Sequence, residues 1–153
     1  MKTINLIIVG ALLAMFASCG GGEPKQEGPA TKPESMVKKE PAGPDKGVGP
    51  IKSIDLPATI DDALAAKGME AFEAKCTACH KMGKRFVGPD LVGVVDRREP
   101  EWIMNMILDP ELMVKENETA KALLAEYLSP MANQSLTEEE ARSILEYFRT
   151  LSK

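Results

Sequence analysis

The only histidine of the chain, His80, follows directly on Cys79 and stands four positions after Cys76, so Cys76-Thr77-Ala78-Cys79-His80 reads C-x-x-C-H. This is the attachment signature of a c-type haem. The spacing has a physical reason. Two thiols three positions apart at a helix end can each add to a vinyl group of one porphyrin, and the adjacent imidazole then falls under the iron as proximal ligand. Other uses of the same residues fit less well. A thioredoxin-like C-x-x-C belongs beside a βαβ pattern, and none is visible. Structural zinc takes four ligands, and two Cys plus one His leave it short. A plain Cys76–Cys79 disulfide stays open for a chain in an oxidising compartment.

The single His excludes more. It forbids a bis-His haem within one chain, and it forbids His-dependent nucleophilic catalysis alongside a separate His-rich metal site. The sequence of 153 residues is acidic, with a formal net charge of -4, which argues against nucleic acid as a partner. Aromatic residues make up only 5%, so a core built from this chain alone is small. A haem would fill the gap.

Composition divides the chain into three zones. Residues 1–18 carry one charge, Lys2, and an apolar run from Leu6 to Phe16, followed by Ala17 and Ser18. That is a secretory signal, and the run is shorter than the roughly 20 residues a membrane span needs. Phe16-Ala17-Ser18-Cys19 resembles a bacterial lipobox with Phe where Leu is usual, which makes Cys19 a lipidated first residue. Residues 19–57 then form a tether. Residues 20–57 hold seven of the eleven Pro and seven of the twelve Gly, with six Lys against six acidic residues. So little apolar surface cannot offset the entropy of ordering, and the flexible reach is about 35 Å. Its last part, Val48 to Pro57, has alternating apolar positions and is expected to pack on the domain as an extended strap.

Residues 58–153 form the folded domain, with twelve basic and seventeen acidic residues. Ile60, Leu64, Gly68 and Phe72 recur at helical period over about 61–75. A second helix starts after Pro100, presents Trp102, Ile103, Met106 and Ile107, and is stopped by Asp109-Pro110. A third covers about 118–127. The last opens on Thr137-Glu138-Glu139-Glu140, a capping box with an acidic first turn. No run reads as a strand ladder, so the class is all-α with three to five helices.

A six-coordinate iron needs a distal ligand, and with no second His the candidates are Met or Lys, or an open site. Met104 and Met106 read as packing on the Trp102 helix, and Met82 lies too close to His80 to reach the opposite face. Met113 follows Pro110 in a loop. Met131 lies in Ser129-Pro130-Met131-Ala132-Asn133-Gln134, where flanking Pro and small polar residues give it little packing purpose. Met131 is favoured and Met113 comes next.

With these residues in view, 58–153 resembles the class I cytochrome c family of small single-haem electron carriers. Gly68-x-x-x-Phe72 leads into C-x-x-C-H as it does in that family, and Gly88-Pro89-Asp90-Leu91-Val92-Gly93-Val94 is similar to its G-P-x-L-x-G-V stretch. The resemblance implies a class I cytochrome c fold around one covalent haem c. It implies that Cys76 and Cys79 form the thioethers, and that His80 and Met131 ligate the iron. It implies that the Pro89 carbonyl fixes the His80 imidazole. It implies that Ile144 and Tyr147 or Phe148 cross the first helix at Gly68 and Phe72. Arg97, Arg98 and Trp102 match positions where the family places partners for a haem propionate. Two features depart from the pattern: Pro130-Met131 reverses the usual Met-Pro order, and 115–127 looks like an added helix.

The implied function is one-electron transfer, not enzymatic turnover, by a monomer moving electrons between membrane respiratory complexes and a terminal oxidase or reductase. The likeness extends to lipoprotein cytochromes with a Pro-rich tether, held by a lipid anchor on the periplasmic side of a Gram-negative membrane. Some of those look associated with reductases of nitrogen oxides, including nitrous-oxide reductase. The acidic domain predicts a redox partner with basic character and docking that weakens with salt. A gas-binding haem sensor is the alternative of another class. Peroxidase chemistry lacks a distal His for acid–base work.

Overall fold

The structure is a computed structural model that describes residues 43–152. The signal segment, Cys19 and the tether up to residue 42 lie outside the described residues. Among the described residues there are five α-helices and no strand beyond an isolated Lys81–Lys84 bridge. None of the helices is long and apolar enough to cross a membrane. The all-α expectation holds.

Helix α1 spans Asp62–Lys75. The Asp61 carboxylate caps it by accepting from the Leu64 N–H at 2.9 Å. Asp62 in the first turn and Lys75 in the last suit the helix dipole. Helix α5, Glu138–Arg149, opens on the expected capping box, with Thr137 and Glu140 each bonding the other's backbone N–H. The two helices cross where α1 presents Gly68. A Cβ built there would stand 1.9 Å from the Ser143 carbonyl oxygen and 2.8 Å from the Ile144 nitrogen. Only glycine allows the approach, and this is the packing reason for an otherwise unfavourable residue in mid-helix. One turn on, the Phe72 ring meets Tyr147 and Phe148, each at 5.8 Å between centroids.

Helix α2, Pro100–Leu108, buries Trp102, Ile103, Met104 and Ile107 against α5. Here the chain departs from expectation. Asp109-Pro110 does end α2, but it also starts another helix, α3, Pro110–Glu116. Proline at the first helical position lacks only an N–H that would be unpaired anyway, and the Asp109 side chain caps the new helix through the Leu112 N–H. Met113 is therefore helical and fully buried, not in a loop. Asn117 ends α3 and caps α4, Glu118–Tyr127.

The strap is packed, and it begins earlier than the alternating pattern shows. Val48, Ile51, Ile54 and Leu56 rest on the core. The buried Asn105 side chain donates to the Lys46 and Ile51 carbonyls and accepts from the Ile51 N–H at 2.9 Å. Asp45 accepts from Asn117 and Thr119, and Lys46 pairs with Glu101. The packed unit thus extends upstream of residue 58, because polar anchors rather than apolar residues fix its first part.

Glu146 on α5 is 1% exposed, and it gathers the strap, α1 and α5. Its carboxylate accepts from the Asp61 N–H, Arg142 and Arg149, and Arg149 also donates to the Pro57 carbonyl. Burial works against its ionisation, but these donors outweigh it and hold the carboxyl below its ordinary 4.5. A depressed pKa means that the stabilisation is complete above pH 4.5 and is lost as pH falls through the depressed value. Glu146→Gln keeps the shape but weakens the bonds from the Asp61 N–H, Arg142 and Arg149, and is expected to lose about 2 kcal/mol at pH 7. Urea unfolding against pH should show the parent curve falling below pH 4.5 more steeply than the variant's.

Candidate haem site

The C-terminal end of α1 delivers the two thiols. Backbone bonds continue one more turn past the helix, from the Cys76 N–H to the Phe72 carbonyl and from the His80 N–H to the Cys76 carbonyl at 2.9 Å. The Thr77 hydroxyl donates to the Glu73 carbonyl and steadies the same turn. This places Cys79 and His80 three and four residues after Cys76 on one side of the chain, the arrangement that the motif requires. No disulfide joins Cys76 and Cys79, so both sulfurs are available for attachment. Burial first, and Cys79 beside it second, push the Cys76 thiol up to about 11, so before attachment it stays protonated at neutral pH.

The loop after His80 returns to hold it. The Gly88 N–H donates to the Cys79 carbonyl at 2.9 Å, and His80 Nδ1 lies 3.1 Å from the Pro89 carbonyl oxygen. A carbonyl only accepts, so Nδ1 carries the proton and Nε2 keeps its lone pair for a metal. Glycine is required at 88, where a Cβ would stand 2.5 Å from the His80 Cε1 atom. Two groups hold this loop in shape. The Asp90 carboxylate accepts from the Gly83 and Val92 N–H groups, and the Arg97 guanidinium donates to the carbonyls of Asp90, Val92 and Gly93.

Cys76, Cys79, His80, Pro89, Arg97, Arg98, Trp102 and Met131 all border one cavity. It holds about 1370 Å³ of space, its open mouth included, and Phe72, Leu91, Ile103, Ile144 and Phe148 make much of its wall apolar. The residues fit a haem. The cavity brings two thiols, one imidazole nitrogen with a free lone pair and the thioethers of Met131 and Met106 to a roomy apolar space, and glycine at 88 leaves the His80 ring uncrowded. By contrast, no three His, Cys, Asp or Glu side chains among the described residues form a cluster for a bare metal ion.

The other sequence expectations divide. Met131 lines the cavity, on the irregular segment after α4. Met113 does not line it; its sulfur accepts from the Val48 N–H at 3.0 Å, beneath the strap. Met106, expected as packing, borders the cavity from α2. Trp102 offers the cavity its ring but not its N–H, which is donated to Asn117 Oδ1 at 3.1 Å. Arg98 lies 5.2 Å over the Trp102 ring and donates to the Arg97 carbonyl. The added helix α4 turns Ala120, Leu123, Leu124 and Tyr127 towards the cavity, so its apolar side forms part of the wall. Nothing in the local sequence marked Tyr127 as a site residue.

A family model described as cytochrome c matches residues 65–152. Among solved structures, a cytochrome c from Rhodothermus marinus is 44% identical, with a TM-score of 0.67 over 68% of this chain and 90% of that one. An engineered form of that protein is 43% identical with a TM-score of 0.66, at the same coverage of both chains. Another, bound to a carbene intermediate, is 44% identical with a TM-score of 0.64, again at that coverage. No curated protein matches.

Proposed function

The chain belongs to the cytochrome c family and carries covalent haem c, and from that premise we propose that it is a one-electron carrier in which His80 and Met131 would hold the iron. Cys76 and Cys79 are the attachment thiols. Bound there, the haem supplies a ferrous–ferric couple. The protein's share is electrostatic and geometric. Pro89 holds the His80 ring in one tautomer and one plane. The Met131 sulfur, a soft and neutral donor, favours the ferrous state and raises the potential. The apolar wall keeps water from the iron, and the bonds of Arg97 to three carbonyls keep the proximal loop from moving when the charge on the iron changes. The observation that carries this reading is the convergence of His80, held by Pro89, and Met131 on one cavity with both thiols.

The carrier works between respiratory complexes and a terminal oxidase or reductase, and the nitrogen-oxide reductases are one class of acceptor. The apolar run before Cys19 and the Pro- and Gly-rich stretch after it support a lipid-anchored protein on the periplasmic side of a membrane, with the domain reaching partners on its tether. Arg85 in the loop after His80 is paired with Glu126, so the acidic balance of the domain stands, and it supports a redox partner with basic character and docking that weakens with salt.

Carbon monoxide tests the reading. A carrier with both axial positions filled takes up little at neutral pH when reduced. A haem sensor with an open distal position binds it readily, and that result would replace the proposal.

A further inference from the structure

Resting on the assignment of Met131 as distal ligand, we propose that Arg85 is a positioning residue: it latches the loop that follows the proximal His80 to the helix that precedes Met131, and so holds the distal segment in place.

The two sides of the latch are fixed independently. On the proximal side, Arg85 belongs to the loop that ends in the bonds of Gly88 to Cys79 and of Pro89 to His80. On the distal side, its guanidinium reaches the end of α4. Nη1 donates to Glu126 Oε1 at 2.8 Å, Nη2 donates to the Glu126 backbone carbonyl at 3.0 Å, and the guanidinium carbon lies 4.0 Å from the centre of the Tyr127 ring. One planar fork thus uses its edge on a carboxylate and a helix-end carbonyl, and its face on an aromatic ring. A lysine ammonium can replace one of these contacts at a time.

The segment after Tyr127 is the reason a latch matters. Leu128 ends α4 in the left-handed region, at φ 53, with its side chain 85% exposed. A Cβ disfavours that conformation, and an exposed side chain gives it no packing support. The chain then passes through Ser129 and Pro130 to Met131, all three bordering the cavity. Downstream, the Asn133 side chain donates to the Leu108 carbonyl at 3.2 Å. Met131 is therefore held between two tethers, the Asn133 bond on one side and the Arg85 contacts on the other. An exposed ion pair alone contributes little. Here the carbonyl bond and the ring contact act together with it on a segment of few residues.

An added ligand reaches the iron only when Met131 swings away, so its apparent affinity scales with the fraction of open conformer. The test is an imidazole titration of the oxidised full-length holoprotein, followed by its absorption spectrum. Arg85→Ala is expected to tighten apparent imidazole binding about tenfold. Arg85→Lys should tighten it by less. Glu126→Gln should change it by about twofold, because the backbone and ring contacts stay. Arg149→Lys, in the Glu146 cluster outside the cavity wall, serves as the stability control: it should lower the urea midpoint and leave imidazole binding within about twofold. An unchanged affinity in Arg85→Ala overturns the latch. So does an equal tightening in Arg149→Lys, which would make the effect one of general loosening. The sulfur-to-iron charge-transfer band of the unmutated oxidised protein separates the two readings. Its absence overturns the ligand assignment and the latch with it; its presence beside an unchanged imidazole affinity overturns the latch alone.

Discussion

Replacing Met131 by Ala is expected to abolish the near-infrared sulfur-to-iron charge-transfer band of the oxidised protein. The same change opens a coordination position, so the reduced variant should take up carbon monoxide where the parent does not. Loss of the thioether removes the donor that favours the ferrous state. The potential should fall on the order of 0.2 V, a fraction of the ~0.8 V range that axial ligation commands. Two methionine sulfurs border the cavity, and the variant pair distinguishes them. Met106 sits on α2, whose other residues are committed to the core beside Trp102, so Met106→Ala should keep the band. Survival of the band in Met131→Ala with its loss in Met106→Ala would transfer the ligand role to the helix.

The second large effect belongs to Gly68. Gly68→Ala must push apart two helix backbones, because its Cβ would lie 1.9 Å from Ser143 oxygen and 2.3 Å from Ser143 carbon. Neither is the end of a flexible side chain, so relaxation has to separate α1 from α5. The expected cost is about 3 kcal/mol or more, and a fall in Tm of at least about 12 °C. Gly83→Ala makes the comparison informative. Gly83 has φ +77 and nothing within 4 Å of its Cβ position, so its replacement costs only the backbone term, about 1 kcal/mol. Equal losses in the two variants would mean that α1 and α5 do not cross in backbone contact at Gly68. Since α1 ends in the attachment cysteines, a misplaced crossing should also lower the yield of holoprotein.

What could be read in the sequence and what could not differ in kind. C-x-x-C-H, the Thr137 capping box and Gly68 are local signals whose chemistry allows few alternatives, and each stands in the structure as its residues require. Helix α3 was hidden because Asp109-Pro110 satisfies a stop and a start equally. What distinguishes them is the tertiary packing that buries Met113 beneath the strap, with its sulfur accepting from the Val48 N–H. The upstream part of the strap was hidden because Asn105, Asn117 and Glu101 anchor it from 54 or more residues away. Trp102 illustrates the same limit. Its position is a site position, yet the direction of its N–H is set by Asn117, which no pattern around Trp102 reveals. The Arg85 contacts join residues 41 positions apart, and within its own loop Arg85 reads as one more solvated cation.

The central claim is that this domain holds one haem between His80 and Met131 and passes one electron at a time. Spectroelectrochemical titration of the purified full-length holoprotein tests it most directly. The expected result is a single reversible one-electron wave, with the sulfur-to-iron band growing in as the protein is oxidised and vanishing as it is reduced. A wave without that band at any potential, or a reduction that does not reverse, would contradict it.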